Sequence, residues 1–253
     1  MLTTQRKQLL LTRLQQDGQI VAKAFSEELG ISEDTVRRDL RELAAEGRLQ
    51  RVHGGALPAS AAVGNLQARE QLAPEDKRAL GRAGAALVLP GQVVILDGGT
   101  TSLQVVQHLP LDLRATVVTH SPTVAVALAG HAQVEVLMLG GRLFRHSMVN
   151  VGASVVEAAA QLRVDLYLMG VTGVHAETGL TTGDFEEAAV KRALHQRAAE
   201  TVVLASLDKL GTASPFSVAP LRELAALVVP AATPQALRKK LQGGGAKLEI
   251  TAA

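Results

Sequence analysis

Cysteine is absent from the sequence, and aromatic residues make up only 2% of its 253 residues. Without cysteine the chain can form neither a disulfide nor a thiolate metal site, and it is compatible with a reducing compartment. With so few aromatic rings, recognition of single-stranded nucleic acid by base stacking is disfavoured.

Long apolar runs are also missing. The first eight residues are mostly polar, and the longest apolar stretches are interrupted by Arg82, Pro90 and Gln92. A membrane-spanning helix needs about 20 apolar residues, and a signal peptide needs an apolar segment near its start. We therefore expect a cytoplasmic protein with no membrane partner.

Several catalytic and cofactor motifs are not found. There is no Walker phosphate loop and no Gly-x-Gly-x-x-Gly fingerprint, and the segment Gly152–Val156 lacks the closing glycine of a nucleophile elbow. The seven histidines show no metal-ligand spacing. These absences predict a chain with no metal, no cofactor and no catalytic residue, that is, a protein that is not an enzyme.

Net charge does not identify a partner, because the formal charge is only +2 and residues 1–57 carry nine basic against eight acidic side chains. The positions of the basic residues along the chain say more about a partner than the net charge does. Five arginines cluster between Arg37 and Arg51, as a phosphate-contacting patch requires.

The stretch Ile31–Leu43 predicts a DNA recognition helix. Ser32 is a good N-cap, and the apolar residues Val36, Leu40 and Leu43 recur at helical spacing and leave the basic residues outside the buried stripe. A shorter helix is predicted just before it and ends at Gly30, so the pair reads as a helix-turn-helix. An ordinary amphipathic helix with a solvated basic face is the alternative for this stretch taken alone.

A first helix over Thr4–Gln16 is expected to pack across this pair, and residues 48–56 alternate as a hairpin wing does. The predicted DNA-binding residues are Ser32, Thr35, Arg37, Arg38, Arg41, Arg51 and His53. We predict a DNA-binding domain over residues 1–57 and a linker over 58–74, which is rich in Ala, Ser, Gly, Pro and Gln.

Residues 75–253 predict a second domain in which helices alternate with continuous apolar runs. Such runs are typical of parallel strands covered on both faces, so we predict an α/β, doubly wound, Rossmann-like and mostly parallel sheet. The candidate strands are Val93–Leu96, Ala115–Thr119, Val134–Leu139, Asp165–Met169, Thr201–Ala205 and Leu224–Val229.

In a doubly wound sheet, ligands bind at the carboxyl ends of the strands. The first of these ends reads Asp97-Gly98-Gly99-Thr100-Thr101-Ser102 before a helix, a pattern that suits a phosphate or carboxylate. A tight turn without a ligand is the alternative, and Lys191 alone reads as a solvated helix residue. The candidate effector-binding residues are Asp97, Gly98, Gly99, Thr100, Thr101, Ser102, Thr119, His120, Ser121, Gly140, Gly141, Glu187, Lys191 and Lys209.

With both ends described, the sequence resembles the DeoR family of bacterial transcription regulators over almost its whole length. The resemblance is carried by residues 30–40 and 51–56 in the head, and by residues 96–101, 118–121, 139–141 and 187–192 beyond it. It implies a winged helix-turn-helix head and a sensor domain similar to sugar-phosphate isomerases. Two departures fall in the effector crevice: His120 stands where the family usually has Asn, and the acidic residue near Lys209 is at 208 instead of 206.

We therefore predict a homo-oligomeric repressor, dimer or tetramer, of a sugar or other carbohydrate catabolic operon. It binds double-stranded operator DNA and is released by a phosphorylated sugar. The phosphate is expected on the turn Gly98–Ser102, with Lys209 as counter-charge and with Asp97 and Glu187 reading hydroxyls. The alternatives are a sugar-phosphate isomerase or lactonase that uses Asp97 and Glu187 as acid and base, and an effector-free nucleoid or scaffold protein.

Overall fold

The N-terminal part of the computed structural model, which describes residues 2–60 and 66–251, combines helices with a small antiparallel sheet. Within residues 2–60 the elements are α1 (Thr3–Asp17), β1 (Ile20–Val21), α2 (Ala22–Leu29), α3 (Glu33–Ala45), β2 (Leu49–Val52) and β3 (Gly55–Pro58). The strand order is β1-β3-β2, so β2 and β3 form the wing that the sequence predicts.

Local chemistry sets the ends of these helices. Helix α2 stops at Gly30, whose φ of 62° lies in the left-handed region that glycine adopts without strain. Ser32 caps α3, since its Oγ accepts from the backbone N–H of Thr35 at 3.2 Å. The apolar stripe of α3 is buried against α1 and α2, and each such side chain contributes roughly 1.5–3 kcal/mol. The predicted cap and stripe are therefore confirmed.

The second part of the chain alternates helices and strands. Its helices are α4 (Leu66–Glu70), α5 (Pro74–Ala86), α6 (Thr100–His108), α7 (Pro122–Ala127), α8 (Ala153–Ala160), α9 (Phe185–His195) and α10 (Gln235–Gly243), with short 3-10 turns at Leu128–Gly130, Leu207–Lys209 and Leu221–Glu223. Its strands are β4 (Val93–Leu96), β5 (Ala115–Thr119), β6 (Val134–Met138), β7 (Arg142–Phe144), β8 (Val149–Val151), β9 (Val164–Met169), β10 (Gly173–His175), β11 (Gly179–Thr182), β12 (Ala198–Leu204), β13 (Phe216–Ala219), β14 (Ala226–Val229) and β15 (Leu248–Ile250).

Within residues 66–251, seven strands pair in the order β15-β14-β12-β9-β4-β5-β6, and every pairing is parallel. Helices α5, α6 and α7 pack on one face of this sheet and α8 and α9 on the other, because successive apolar residues of each strand point to opposite faces. All six predicted strands are present with small shifts of their ends. The predicted α/β, doubly wound, parallel fold is confirmed.

The strand order reverses between β4 and β9. From β4 the chain proceeds through β5 and β6 toward one edge of the sheet, whereas β9 starts a run through β12, β14 and β15 toward the other. A ligand crevice opens where such a sheet changes direction, beyond the carboxyl ends of the two strands. The topology therefore places the candidate site after Leu96 and Met169.

The stretch predicted as a linker contains ordered elements at both ends. Pro58 belongs to β3, and Ala59 forms an isolated parallel bridge with Ala213 of the second part. Residues 61–65 lie outside the described residues, and α4 follows them. In the described part of the chain, no helix is long and apolar enough to cross a membrane.

Candidate functional site

A cleft opens at the carboxyl ends of β4 and β9, where the topology places a ligand site. It is lined by Arg69, Leu72, Lys77, Gly98, Gly99, Thr100, Thr101, Ser147, Val149, Gly170, Val171, Thr172, Glu187, Lys191, Asp208 and Lys209. Four of these described residues are cations and two are carboxylates, so the lining carries an excess of positive charge. Such a lining favours an anionic ligand.

The turn between β4 and α6 forms one wall of the cleft. Gly98 has no room for a side chain, because a Cβ there would lie 2.2 Å from Cγ1 of Val149. Gly99 has a φ of 112° and precedes the first turn of α6, whose backbone N–H groups have no partner within the helix. The hydroxyl Oγ1 of Thr101 is buried and has no hydrogen-bond partner among the described residues. The turn thus presents donors to the cleft, as an anion site requires.

Asp97 lies beneath this wall and does not line the cleft. Five donors among the described residues contact its fully buried carboxylate: the N–H groups of Gly98 and Gly170, the Nε2 of His120, the hydroxyl of Tyr167 and the ammonium of Lys191. Burial alone would raise the pKa of Asp97, but Lys191 and His120 hold that pKa well below its usual range. Asp97 is a buried anchor, so its predicted contact with ligand hydroxyls has no support in this geometry.

His120 connects Asp97 to the neighbouring strand end. Its Nε2 lies 2.8 Å from Oδ1 of Asp97, and its Nδ1 lies 2.9 Å from the backbone oxygen of Asn150. The ring of His120 thus bridges the carboxylate of Asp97 and the backbone of β8. The side chain of His120 is therefore enclosed in the core of the sensor and is not part of the cleft lining.

Lys191 and Glu187 lie one turn apart on α9 and face the same cleft. Lys191 donates to the backbone oxygen of Gly170 at 2.9 Å, and its ammonium lies 3.5 Å from Glu187. Burial disfavours the charged ammonium, yet Asp97 and Glu187 outweigh that effect and raise the pKa of Lys191. Glu187 also accepts from the hydroxyl of Thr182 at 3.0 Å. Lys191 is thus a buried, neutralised cation, in contrast to the solvated helix residue that its position alone suggested.

Lys209 differs from Lys191 because no acceptor among the described residues lies within bonding distance of its ammonium. It is buried, and among residues 2–60 and 66–251 its ammonium has neither a hydrogen bond nor an ion pair. Burial and, to a lesser extent, the nearby cations Arg69, Lys77 and Lys191 lower the pKa of Lys209 to about 8, although the neighbouring carboxylate of Asp208 acts in the opposite direction. A ligand anion in the cleft would supply the missing counter-charge.

The structure brings together only part of the predicted effector set. Gly98, Gly99, Thr100, Thr101, Glu187, Lys191 and Lys209 line the cleft, whereas Asp97, Ser102, Thr119, His120, Ser121, Gly140 and Gly141 do not. Ser121 illustrates the reason: its hydroxyl donates to the backbone oxygen of Met148 at 3.0 Å, in the core beside the cleft. The expectation that ligands bind at the carboxyl ends of strands identifies the edge of the sheet where the cleft lies. It does not distinguish residues that line the cleft from residues that support the lining.

Sequence reasoning missed several residues of the lining. Arg69 and Lys77 were overlooked because they lie in or beside the predicted linker, and Asp208 was noted only as a departure in sequence. The only available signal is that the two cations lie within nine positions of each other, and the acidic residues Glu70, Glu75 and Asp76 between them hide it. Spacing alone could not place that pair against a strand end about 30 residues later.

The head presents a separate cationic face. Arg38, Arg41, Arg51 and His53 are exposed, while Arg37 is held by Glu33 through bonds of 2.8 and 3.1 Å. Arg37, Arg51 and His53 border one groove between α3 and the wing. The predicted DNA-binding arginines are thus exposed on the head, and two of them lie with His53 at one groove.

A buried ion pair that the sequence did not predict orients α3. Arg6 of α1 and Asp39 of α3 contact each other through two hydrogen bonds, and both side chains are almost fully buried. Breaking such a pair leaves an uncompensated charge in the core, which costs about 3–5 kcal/mol. The pair therefore fixes the recognition helix against the first helix.

Within residues 2–60 and 66–251, no group of three or more His, Asp or Glu side chains is arranged to hold a metal ion. The donors that line the cleft are mainly ammonium, guanidinium, hydroxyl and backbone N–H groups. Such a donor set suits an anion far better than a cation.

Comparison with known proteins gives matches to both parts of the chain. Residues 6–61 match the DeoR-like helix-turn-helix domain, and residues 72–230 match the DeoR C terminal sensor domain. The HTH-type transcriptional regulator GlpR of Haloferax volcanii is 33% identical over 97% of this chain and 96% of its own length. The HTH-type transcriptional repressor GlcR of Bacillus subtilis is 32% identical over 96% of this chain and 94% of its own.

Among solved structures, a ribose 5-phosphate isomerase A from Methanocaldococcus jannaschii overlaps 54% of this chain and 54% of its own, with a TM-score of 0.40 and 18% sequence identity. At this level of similarity, nothing about the activity of this chain follows.

Proposed function

The chain belongs to the DeoR family of transcriptional regulators, and from that premise we propose that it represses a sugar catabolic operon and leaves its operator when a phosphorylated sugar binds. The repressor assignment is supported by the relative from Bacillus subtilis, which carries that name. The DNA-binding assignment is supported by the capped helix α3 and by the exposed arginines beside it.

One observation carries the choice of an anionic effector: Lys209 is a buried residue whose ammonium forms no hydrogen bond or ion pair within the described chain, and it faces the same cleft as the unpartnered hydroxyl of Thr101. A buried charge without a counter-charge is costly, and a phosphate would compensate it. The first turn of α6 adds backbone donors and the positive end of a helix dipole. We assign the phosphate to the turn Gly98–Thr101 and Lys209.

Glu187 is the candidate for recognising the sugar itself. It lines the cleft and is an acceptor, and Thr182 and Lys191 hold it in place. Asp97 takes no direct part in this proposal, because its carboxylate is enclosed by protein donors. The same enclosure removes the acid that the isomerase alternative requires.

The domain division remains a proposal, with a head over residues 1–57, a linker over 58–74 and a sensor over 75–253. A homo-oligomer is part of the same proposal. A single winged helix-turn-helix reads only a short half-site, and a second copy would place two recognition helices one or more turns of DNA apart.

The experiment is a thermal-shift screen of the full-length protein against phosphorylated sugars, each paired with its unphosphorylated form. A ligand at 100 times its dissociation constant should stabilise the protein by about 2.7 kcal/mol. The double variant Thr101→Ala, Lys209→Gln should lose the shift, and Arg82→Gln, which changes an exposed arginine on α5, should keep it. Equal shifts for the phosphorylated and unphosphorylated partners, or a full shift in the double variant, would contradict the assigned phosphate site.

A further inference from the structure

Arg69 connects the cleft to the segment that leads from the wing into the sensor. It lies in α4 and lines the cleft, and the Nε and Nη2 atoms of its guanidinium are buried with no hydrogen-bond partner among the described residues. The ammonium of Lys77 donates to the backbone oxygen of Arg69 and so ties α4 to α5. Two unpaired donors on a buried cation are costly unless an acceptor from outside the chain completes them.

The same segment also contacts the cleft at its other end, directly after the wing. The backbone oxygen of Pro58, the last residue of β3, accepts from the N–H of Ala213 at 3.3 Å. Ser60 donates from its hydroxyl to the backbone oxygen of Thr172 at 2.5 Å. Thr172 lines the cleft, and Ala213 follows Lys209 by four residues. The chain that leaves the wing is therefore bonded to one residue of the cleft lining, Thr172, and to a residue four positions after another, Lys209.

We propose that Arg69 binds the anionic group of the effector and that this contact couples the effector site to the wing. The inference rests on the proposed function, because it takes the effector to be an anion in this cleft. A guanidinium offers two parallel donors to a phosphate, so occupancy selects the arrangement in which α4 is held against the cleft. Since α4 and β3 belong to one short segment with anchors at both ends, fixing α4 restricts the wing.

Arg69 and Lys209 line the same cleft, but we expect different effects when each is replaced. Lys209 lies on the sensor side of the cleft and supplies charge, so its removal should weaken binding and leave the coupling intact at saturation. Arg69 lies on the segment from the wing, so its removal should abolish the coupling even when the anion is bound. Comparing the two variants under saturating conditions separates coupling from affinity.

The test is amide hydrogen exchange of the full-length protein with and without inorganic phosphate at saturating concentration. In the wild type, phosphate should slow exchange at residues 98–102 and also at residues 66–72 and 49–58, by about fivefold or more. Arg69→Gln should keep the protection at 98–102 and lose it at 66–72 and 49–58. Lys209→Gln should show all three protections once phosphate is raised to saturation, and Arg82→Gln should match the wild type.

Two outcomes would overturn the inference. One of them leaves the proposed effector site in place, and the other removes that site as well. If Arg69→Gln with bound phosphate still protects the wing, Arg69 does not couple the sites, while the anion site at 98–102 stands. If the wild type shows no protection at 98–102 at any phosphate concentration, and phosphorylated sugars also fail to protect it, the proposed effector site fails and the coupling fails with it.

Discussion

Lys191 and Asp97 are 94 positions apart in the chain, yet the ammonium of one contacts the carboxylate of the other at the base of the cleft. Only 3% of the first side chain and none of the second is exposed. The contact joins α9 to the end of β4, and the N–H of Gly170 at the end of β9 donates to the same carboxylate at 2.9 Å. One buried ion pair therefore holds together three elements that shape the effector site.

Removing the cation of this pair should destabilise the sensor. Lys191→Met leaves the charge of Asp97 without its main partner, so we expect a loss of about 3–5 kcal/mol in the free energy of unfolding. Chemical denaturation measures it, with Lys239→Met on the exposed side of α10 as the matched control. A loss below about 1 kcal/mol, no larger than in the control, would show that the pair does not hold the elements together.

Anion binding should weaken at alkaline pH. The pKa of Lys209 is lowered to about 8 because the side chain is buried, and a bound anion favours the charged ammonium. The affinity for a phosphorylated sugar should therefore be highest between about pH 6, where a phosphate monoester gains its second charge, and pH 8. Above pH 8 it should fall by up to about tenfold per pH unit.

Calorimetric titration across pH 6–10 measures this dependence. Lys209→Gln should bind more weakly at neutral pH and lose most of the decline above pH 8, because the titrating ammonium is gone. An unchanged alkaline decline in Lys209→Gln would assign it to another group.

Replacing His120 should show how much its hydrogen bonds contribute to the stability of the sensor. His120→Leu removes the ring contacts to Oδ1 of Asp97 and to the backbone oxygen of Asn150, and a buried acceptor that loses its donor costs about 1–3 kcal/mol. His120→Asn retains a donating amide and should cost less. Equal free energies of unfolding for the two variants would mean that hydrogen bonding at this position contributes little to stability.

The exposed arginines of the head should differ in how they affect DNA binding. If Arg38 on α3 reads a base edge, as we propose, Arg38→Ala should lose about 1–3 kcal/mol of discrimination between sequences. If Arg51 on the wing contacts a phosphate, as we propose, Arg51→Ala should weaken binding to all sequences alike and reduce the salt slope by about one.

Fluorescence anisotropy at several salt concentrations, on matched specific and random duplexes, measures both effects. Arg78→Ala, on the exposed side of α5, serves as the control. If Arg38→Ala and Arg51→Ala both left the affinity for every duplex unchanged, the DNA-binding face would lie elsewhere on the head.

The sequence predicted the elements whose signals are local. The cap at Ser32, the stop at Gly30 and the apolar strands follow from neighbouring residues, and all are present. The short strands β7, β8, β10, β11 and β13 were not predicted, because a run of only three or four residues is too short to show a strand period. Strand β15 was missed as well, since its glutamate interrupts the apolar run.

The sequence predicted the edge of the sheet at which the cleft lies, but only some of the residues that line it. Asp97 reads as a polar strand end, and nothing local reveals that partners 23 to 94 positions away enclose it. The converse applies to Arg69, which reads as a linker residue and faces the cleft. In both cases, the role is set by packing between distant segments, which periodicity and spacing do not encode.

The most direct test of the account is the affinity of the full-length protein for a DNA duplex that it has itself selected from a random pool, measured with and without phosphorylated sugars. We predict that at least one phosphorylated sugar lowers this affinity by about 5- to 150-fold, and that its unphosphorylated form does not. An affinity that no phosphorylated sugar changes, at concentrations that saturate the sensor, would contradict the ligand-controlled release of DNA.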